Sequence, residues 1–132
     1  MNSFKSLLGI FFAFTLSVGV FADETTTLDE HSYGTFAAIA YSPQTGAYGY
    51  SWNQPNRAWA ERVAMSHCRA YDCRPVVWVS GGCAAISRSI YTTMRYGWGY
   101  AGNRYQAEHN SLLGCQRANL GPCRMIDSVC SY

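Results

Sequence analysis

Short apolar and alternating segments follow one another along the chain in a fixed order. The apolar run 36–40 predicts a buried strand, and residues 48–52 alternate aromatic with small residues, as a strand with one aromatic face does. The turn residues between these two segments predict a hairpin. Asn56 then predicts the N-cap of a helix that runs to about Cys68, and residues 76–79 are typical of a buried strand.

The same order of segments occurs a second time. The run 36–40 returns as 83–87, and the alternating aromatic run returns as 96–100, at offsets of 47 and 48 residues. Cys68 returns as Cys115 at an offset of 47. Because several residue types recur in order, the chain is predicted to contain an internal repeat.

The repeat predicts the fold class. Each copy reads as strand–strand–helix–strand, with copies at about 36–82 and 83–130, and Asn103 as the cap of the second helix. Two such units predict an α+β fold with about six strands and two helices, forming a single domain over residues 34–132.

The first residues differ from the rest of the chain. Residues 1–22 are typical of a secretory signal peptide, with Lys5 before an apolar run and Ala22 at the predicted cleavage site. A membrane anchor is the alternative, but the apolar run is shorter than the roughly 20 residues that span a bilayer. Residues 23–33 predict a flexible acidic leader. We therefore expect a periplasmic or secreted protein without an integral membrane segment after cleavage.

Charge and cysteine content narrow the class of protein. From Tyr33 onward there are nine arginines against four acids, a net charge of +5, but no run of basic residues, which argues against nucleic acid as a partner. An even number of cysteines in a short exported chain predicts a disulfide framework. No two cysteines are separated by only two residues, as they are in zinc sites and in thioredoxin-like redox motifs. Neither a metal nor a cofactor is therefore expected. The six cysteines are Cys68, Cys73, Cys83, Cys115, Cys123 and Cys130.

Six cysteines allow 15 pairings, and the predicted elements favour one of them. Each helix end would be joined to the strand after it, which gives Cys68–Cys73 and Cys115–Cys123. The remaining pair is Cys83–Cys130, which forms if the last strand runs antiparallel beside the first strand of its copy. Pairing of Cys83 within the first copy remains open.

Candidate chemistry is sparse. His67 adjoins Cys68 and His109 follows Glu108, but a Cys–His nucleophile needs a free thiol, which the even cysteine count disfavours. Glu61 and Glu108 are equivalent in the repeat and are candidates for a pair of acid–base catalysts. The alternative is that each acid stabilises the first turns of its own helix.

The aromatic strands are the stronger indication of function. One face of each predicted strand is aromatic, which is usual for a core, yet the glycines opposite would leave the other face open to a ligand or to the backbone of a partner. Tyrosine and tryptophan beside scattered arginines are also typical of a protein-binding hot spot, and such rings can stack on sugars. The candidate binding residues are Tyr48, Tyr50, Trp52, Tyr96, Trp98 and Tyr100.

Several of these segments together resemble a family of exported, cysteine-containing bacterial proteins, the domain of unknown function 4189. The resemblance covers residues 36–130, departs from the family pattern at Asp127-Ser128, and implies no catalytic residues. The segments that carry it are 38–42, 46–51, 60–61, 73–79, 83–85 and 97–99, together with Cys68.

The sequence thus favours a non-enzymatic, disulfide-stabilised module that binds another protein, such as an inhibitor or immunity factor. One alternative is an enzyme that acts on envelope material through Glu61 and Glu108. Another is a structural or stress-related envelope protein. The sequence leaves the oligomeric state open.

Overall fold

Two copies of the same unit make up the structure, a computed structural model that describes residues 35–119 and 121–132. The predicted signal peptide (1–22) and the predicted leader (23–33) lie outside the described residues. The order strand–strand–helix–strand, repeated once, confirms the α+β class with six strands and two helices. The elements are β1 Phe36–Tyr41, β2 Tyr48–Gln54, α1 Arg57–His67, β3 Arg74–Ser80, β4 Gly82–Ser89, β5 Tyr96–Ala101, α2 Arg104–Asn119 and β6 Cys123–Ser131.

The strands form two antiparallel sheets with the same internal order. One sheet has the order β2-β1-β3 and the other β5-β4-β6, so that the first strand of each copy is central. Ala38 of β1 lies opposite Trp78 of β3, and Ala85 of β4 lies opposite Ser128 of β6. The 47-residue offset between Ala38 and Ala85 is therefore kept in the strand register, which makes Trp78 and Ser128 equivalent positions.

The fold has four layers, because each sheet is covered on both faces. Ile39 on β1 and Ile86 on β4 belong to one buried cluster between the sheets. The neighbouring side chains point the opposite way: Ala38 packs with α1, and Ala85 packs with α2. The alternation of a strand thus sends every second residue to the other sheet and the remainder to a helix.

Glycine in the edge strands lets the helices approach the sheets closely. A Cβ atom at Gly49 would lie 2.5 Å from the backbone nitrogen of Cys68, and one at Gly99 would lie 2.5 Å from that of Ser111. Helix backbone therefore fills the faces that we expected to be open to a ligand. That expectation was wrong because the strand pattern identifies a bare face without identifying what covers it.

Side-chain caps begin both helices where the sequence predicts them. Asn56 Oδ1 accepts a hydrogen bond of 2.9 Å from the backbone N–H of Trp59. Asn103 Oδ1 accepts an equivalent bond of 2.9 Å from Gln106. Each cap satisfies a backbone donor that the first helical turn leaves unpaired.

Three disulfides connect the elements. Cys68–Cys73 and Cys115–Cys123 each join the end of a helix to the following strand, and Cys83–Cys130 joins the neighbouring strands β4 and β6. These are the pairs that the predicted elements favour. None of the helices in the described part of the chain is long and apolar enough to cross a membrane.

Candidate functional site

The aromatic side chains of the two edge strands extend beyond the core. Trp98 pairs opposite Ile86 and Tyr50 opposite Ile39, so both aromatic rings are on the faces between the sheets. Nevertheless, five of the six predicted aromatic side chains are exposed, with fractions from 42% for Tyr48 to 58% for Tyr100. These edge rings therefore combine the orientation of core residues with the exposure of surface residues.

Tyr96 is the exception among the six predicted aromatic residues. Its ring packs against Tyr41 with a centroid distance of 4.9 Å, and it is partly buried against the core cluster. Its hydroxyl accepts a hydrogen bond of 2.8 Å from Arg74 Nη2. Tyr96 thus closes the edge of the core, whereas its strand neighbours Trp98 and Tyr100 remain accessible.

Trp98 and Tyr100 form one wall of a groove along β3, which we name the β3 groove. Its other side is residues 75–80 of β3, and Arg57 and Glu61 of α1 lie at its rim. The groove has a volume of about 540 Å³. The Trp98 and Tyr100 rings are nearly parallel, with centroids 6.3 Å apart. Both repeats contribute to the groove, since β3 belongs to the first and β5 to the second.

Trp78 is held in place by its neighbours at the rim of the β3 groove. The guanidinium of Arg57 lies 4.8 Å from the centre of the Trp78 ring, as a cation–π contact requires, and Phe36 stacks on the same ring. Arg57 Nε also donates to Glu61 Oε1 at 2.8 Å. Arg57 and Glu61 are therefore paired with each other beside an apolar surface.

An equivalent but smaller groove follows β6, which we name the β6 groove. It has a volume of about 290 Å³ and is lined by residues 127–130, with Tyr50, Trp52 and Arg104 around them. Ser128 replaces the tryptophan found in the first copy, and Asp127 adds a carboxylate. The β6 groove is therefore polar where the β3 groove is apolar.

A third depression contains Tyr48. It follows residues 48–54 of β2 against Val63 and His67 of α1, with a volume of about 580 Å³. Tyr50 and Trp52 line it as well, and Asn53, Gln54 and His67 add polar groups, so β2 contributes no continuous apolar strand to it. The β3 groove alone among these three combines an apolar strand with three accessible aromatic rings, Trp78, Trp98 and Tyr100.

The structure does not bring Glu61 and Glu108 together. Glu61 lies on α1 at the rim of the β3 groove. Glu108 lies on α2, where its Oε1 accepts a hydrogen bond of 2.7 Å from Ser128. Since α1 and α2 cover the outer faces of different sheets, two sheets separate these carboxylates. They cannot flank one substrate in this arrangement.

The comparisons with known proteins give a family. The model of the family described as "Domain of unknown function (DUF4189)" matches residues 36–130. The chain belongs to the DUF4189 family. No curated protein matches it. Among solved structures, the NMR structure of Rv1813c from Mycobacterium tuberculosis is similar, with 27% sequence identity and a TM-score of 0.51. That match covers 73% of this chain and 74% of the mycobacterial chain.

The histidines and cysteines of this DUF4189 domain do not assemble into a reactive site. Cys68, beside His67, is in a disulfide, and no free cysteine occurs among residues 35–119 and 121–132. A thiolate nucleophile is therefore absent from this part of the chain. Within the same residues, no group of three or more histidines, cysteines and acids has the geometry to hold a metal ion.

A buried hydroxyl in the DUF4189 domain stabilises one charged carboxylate. Ser42 donates its hydroxyl hydrogen bond to Asp72 Oδ1, and the backbone N–H of Gln44 donates to Oδ2 at 3.1 Å. The Ser42 bond is the main cause that holds the pKa of Asp72 below its ordinary value. A lowered carboxyl pKa stabilises the fold above the ordinary pKa of about 3.9, and this contribution is lost as pH falls through the folded-state value.

Replacing Ser42 with alanine is therefore expected to raise the pKa of Asp72 toward its ordinary value. The measurement is an NMR titration of the Asp72 carboxyl carbon in the folded protein. Gln44→Ala serves as the control, because it keeps the backbone N–H that donates to Oδ2. An unchanged Asp72 titration in Ser42→Ala would show that the hydroxyl is not the cause of the low pKa.

Proposed function

We propose that this DUF4189 domain is a non-enzymatic binding module that recognises another protein through the β3 groove. The main observation that supports this proposal is that Trp98 and Tyr100, each about half exposed, lie beside the apolar strand β3. Tryptophan, tyrosine and arginine dominate the energetics of protein interfaces when they lie in a central apolar recess. Those three residue types meet in the β3 groove.

The surrounding structure supports a rigid interface. Cys68–Cys73 joins α1 to the start of β3, and the other two disulfides crosslink the second copy, so the elements that form the groove need little further ordering on binding. A site that is already ordered loses less conformational entropy when a partner binds. The disulfides also fit a protein of an oxidising compartment, for which we propose the bacterial periplasm or the cell exterior.

The catalytic alternative has weaker support. Glu61 lies at the rim of the β3 groove and Glu108 lies on α2, and each is already bonded to a neighbour, Arg57 and Ser128 respectively. A pair of acid–base catalysts needs two carboxylates on either side of one substrate. A binding role needs only the accessible apolar surface that the β3 groove provides.

Replacing both Trp98 and Tyr100 with alanine is expected to weaken partner binding by about 30-fold or more, the loss typical of a hot-spot residue. The oxidised chain would be immobilised and exposed to envelope and culture-supernatant fractions of its source bacterium. Captured proteins would be identified after photo-crosslinking at the groove, and the affinity of the purified partner would then be measured.

The repeat supplies a matched control. Tyr50 and Trp52 precede Trp98 and Tyr100 by 48 residues, and the double alanine variant at those positions removes the same kind of side chains from the β6 groove. It should retain the partner. Capture that is equal in both double variants, with their thermal unfolding matched, would contradict binding through the β3 groove.

A further inference from the structure

The β3 groove follows the edge of a sheet. β3 pairs with β1 on one side and with no strand on the other among the described residues. Six consecutive residues, 75–80, line the groove, which means that the groove runs along the strand. An antiparallel edge directs the N–H and C=O of every second residue outward, where another strand can pair with them.

The outer edges of β3 and β6, which are equivalent in the two repeats, differ in the side chains that cover them. In the second copy, Arg104 Nη1 donates to the backbone carbonyl oxygen of Ser128 at 2.9 Å, so a side chain of α2 covers the β6 edge. Arg57 is the equivalent arginine, and it lies on the Trp78 ring and bonds Glu61 instead. Within the described part of the chain, no side chain hydrogen-bonds to the backbone of residues 75–80.

The remaining edges are less suited to pairing. Asn53 interrupts β2 with a φ of +61°, a conformation outside the range of regular strands. β5 alternates with glycine, which weakens a strand. In β3 the pairing with β1 is regular from Val77 to Ser80 and shifts at Val76. Among residues 35–119 and 121–132, the run 77–80 is therefore the free strand edge that has both a regular backbone and an aromatic wall beside it.

We propose that the β3 edge binds an extended peptide segment of the protein partner as a fourth strand of the sheet. This inference rests on the proposed function and specifies its mode of binding. Backbone hydrogen bonds to residues 77–80 would supply affinity, while alternate side chains of the peptide lie against Trp98 and Tyr100. The peptide should therefore carry apolar residues at every second position.

The positive charge of the domain predicts that the bound peptide is acidic. Residues 35–132 include nine arginines and four acids. At the start of β3, Arg74 bonds the hydroxyl of Tyr96 and also helps to lower the pKa of the Asp72 carboxyl, and on α1 Arg62 lies over the Trp59 ring. Glu61 is paired with Arg57. The described residues nevertheless carry a net charge of +5, so an acidic peptide would meet a surface that is positive overall, and binding should weaken with added salt.

The test uses a displayed library of random linear nine-residue peptides, selected on the oxidised mature chain. Enriched peptides would be resynthesised with a methyl group on one backbone nitrogen at a time. Strand addition predicts that methylation at every second residue weakens binding about tenfold or more, because each of those nitrogens loses a hydrogen bond. Methylation at the residues between should change affinity little. NMR hydrogen exchange should show protection of the outward amides within 77–80 on binding.

Two variants complete the experiment. Trp78→Ser reproduces the second copy, so Arg57 can reach the strand carbonyl as Arg104 does, and peptide binding is expected to be lost. Tyr50→Ala is the matched control in the β6 groove and should bind the peptide normally. Should Trp78→Ser fail to fold, the methylation pattern on the unmodified chain still decides the proposal.

Three outcomes would overturn strand addition. One is a selection that enriches no peptide, and another is an affinity that is insensitive to backbone methylation at every position. The third is a concentration-dependent dimer, seen by sedimentation, that protects the amides of 77–80 without any peptide, because a second copy would then occupy the edge. The proposed function is tested separately, by the loss of partner binding in the Trp98 and Tyr100 double variant. That result would stand even if strand addition were overturned.

Discussion

Gly97→Ala is expected to lower the free energy of unfolding by about 3 kcal/mol, the upper part of the usual range for an overpacked interior. An added Cβ would overlap the backbone nitrogen of Cys115 and lie 2.5 Å from the carbonyl carbon of Gly114. Both atoms belong to the backbone of α2, and the disulfide of Cys115 with Cys123 restrains that turn. The helix must move away from β5 as a unit, and packing between α2 and the sheet is lost.

The measurement is chemical denaturation of the oxidised protein, with thermal unfolding as a second probe. For a domain of this size, the expected loss corresponds to a decrease in Tm of roughly 15 °C. Gly102→Ala is the control, since a Cβ there meets nothing within 4 Å, and its stability should change little. Similar stability of Gly97→Ala and Gly102→Ala would mean that α2 does not pack on β5 as closely as the structure has it.

Removing the Cys83–Cys130 disulfide is expected to cost about 4 kcal/mol, more than removing either of the other two. Its cysteines are 47 residues apart, against separations of 5 for Cys68–Cys73 and 8 for Cys115–Cys123. On the chain-entropy model, a longer closed loop restricts the unfolded chain more, and the short loops are expected to contribute about 2 kcal/mol each. Serine at both positions of a pair breaks the crosslink.

The control is the double serine variant at Cys68 and Cys73. It removes the same number of sulfur atoms and opens the shortest of the three disulfide-closed loops. Denaturation of the two double variants should therefore differ by about 2 kcal/mol in the free energy of unfolding. If both lose the same stability, loop length does not govern the contribution of these crosslinks. The fully buried Cys83 also packs in the cluster beneath α2, which adds a packing loss in the same direction.

The groove residues show where sequence reasoning was incomplete. Trp98 and Tyr100 are predicted from the alternation of β5, but Trp78 and Arg57 are not among the predicted site residues. A signal for Trp78 is present in the repeat, since a large aromatic residue stands where the second copy has Ser128. Sequence alone does not connect Trp78 with Trp98, because the contact between β3 and β5 is between the two sheets.

The strand glycines also show what sequence reasoning could not decide. The alternation in β5 identifies a face without side chains, which suits a ligand, a partner or a helix equally well. Only the packing of α2 on that face, with Ser111 and Cys115 against Gly99 and Gly97, decides between them. The exposure of the aromatic face is likewise a tertiary property, since it depends on how far the facing sheet extends.

The sequence by itself determined the duplicated order of elements, the caps at Asn56 and Asn103, and the alternation that gives each strand two different faces. Hydrogen bonding and side-chain periodicity are local, so neighbouring residues specify them. The tertiary structure alone decided that the two sheets pack against each other. It also decided that no strand among the described residues pairs with the outer edge of β3 beside Trp98, whereas Arg104 covers the β6 edge. Those contacts join residues from different repeats, and they depend on which buried surfaces fit together in space.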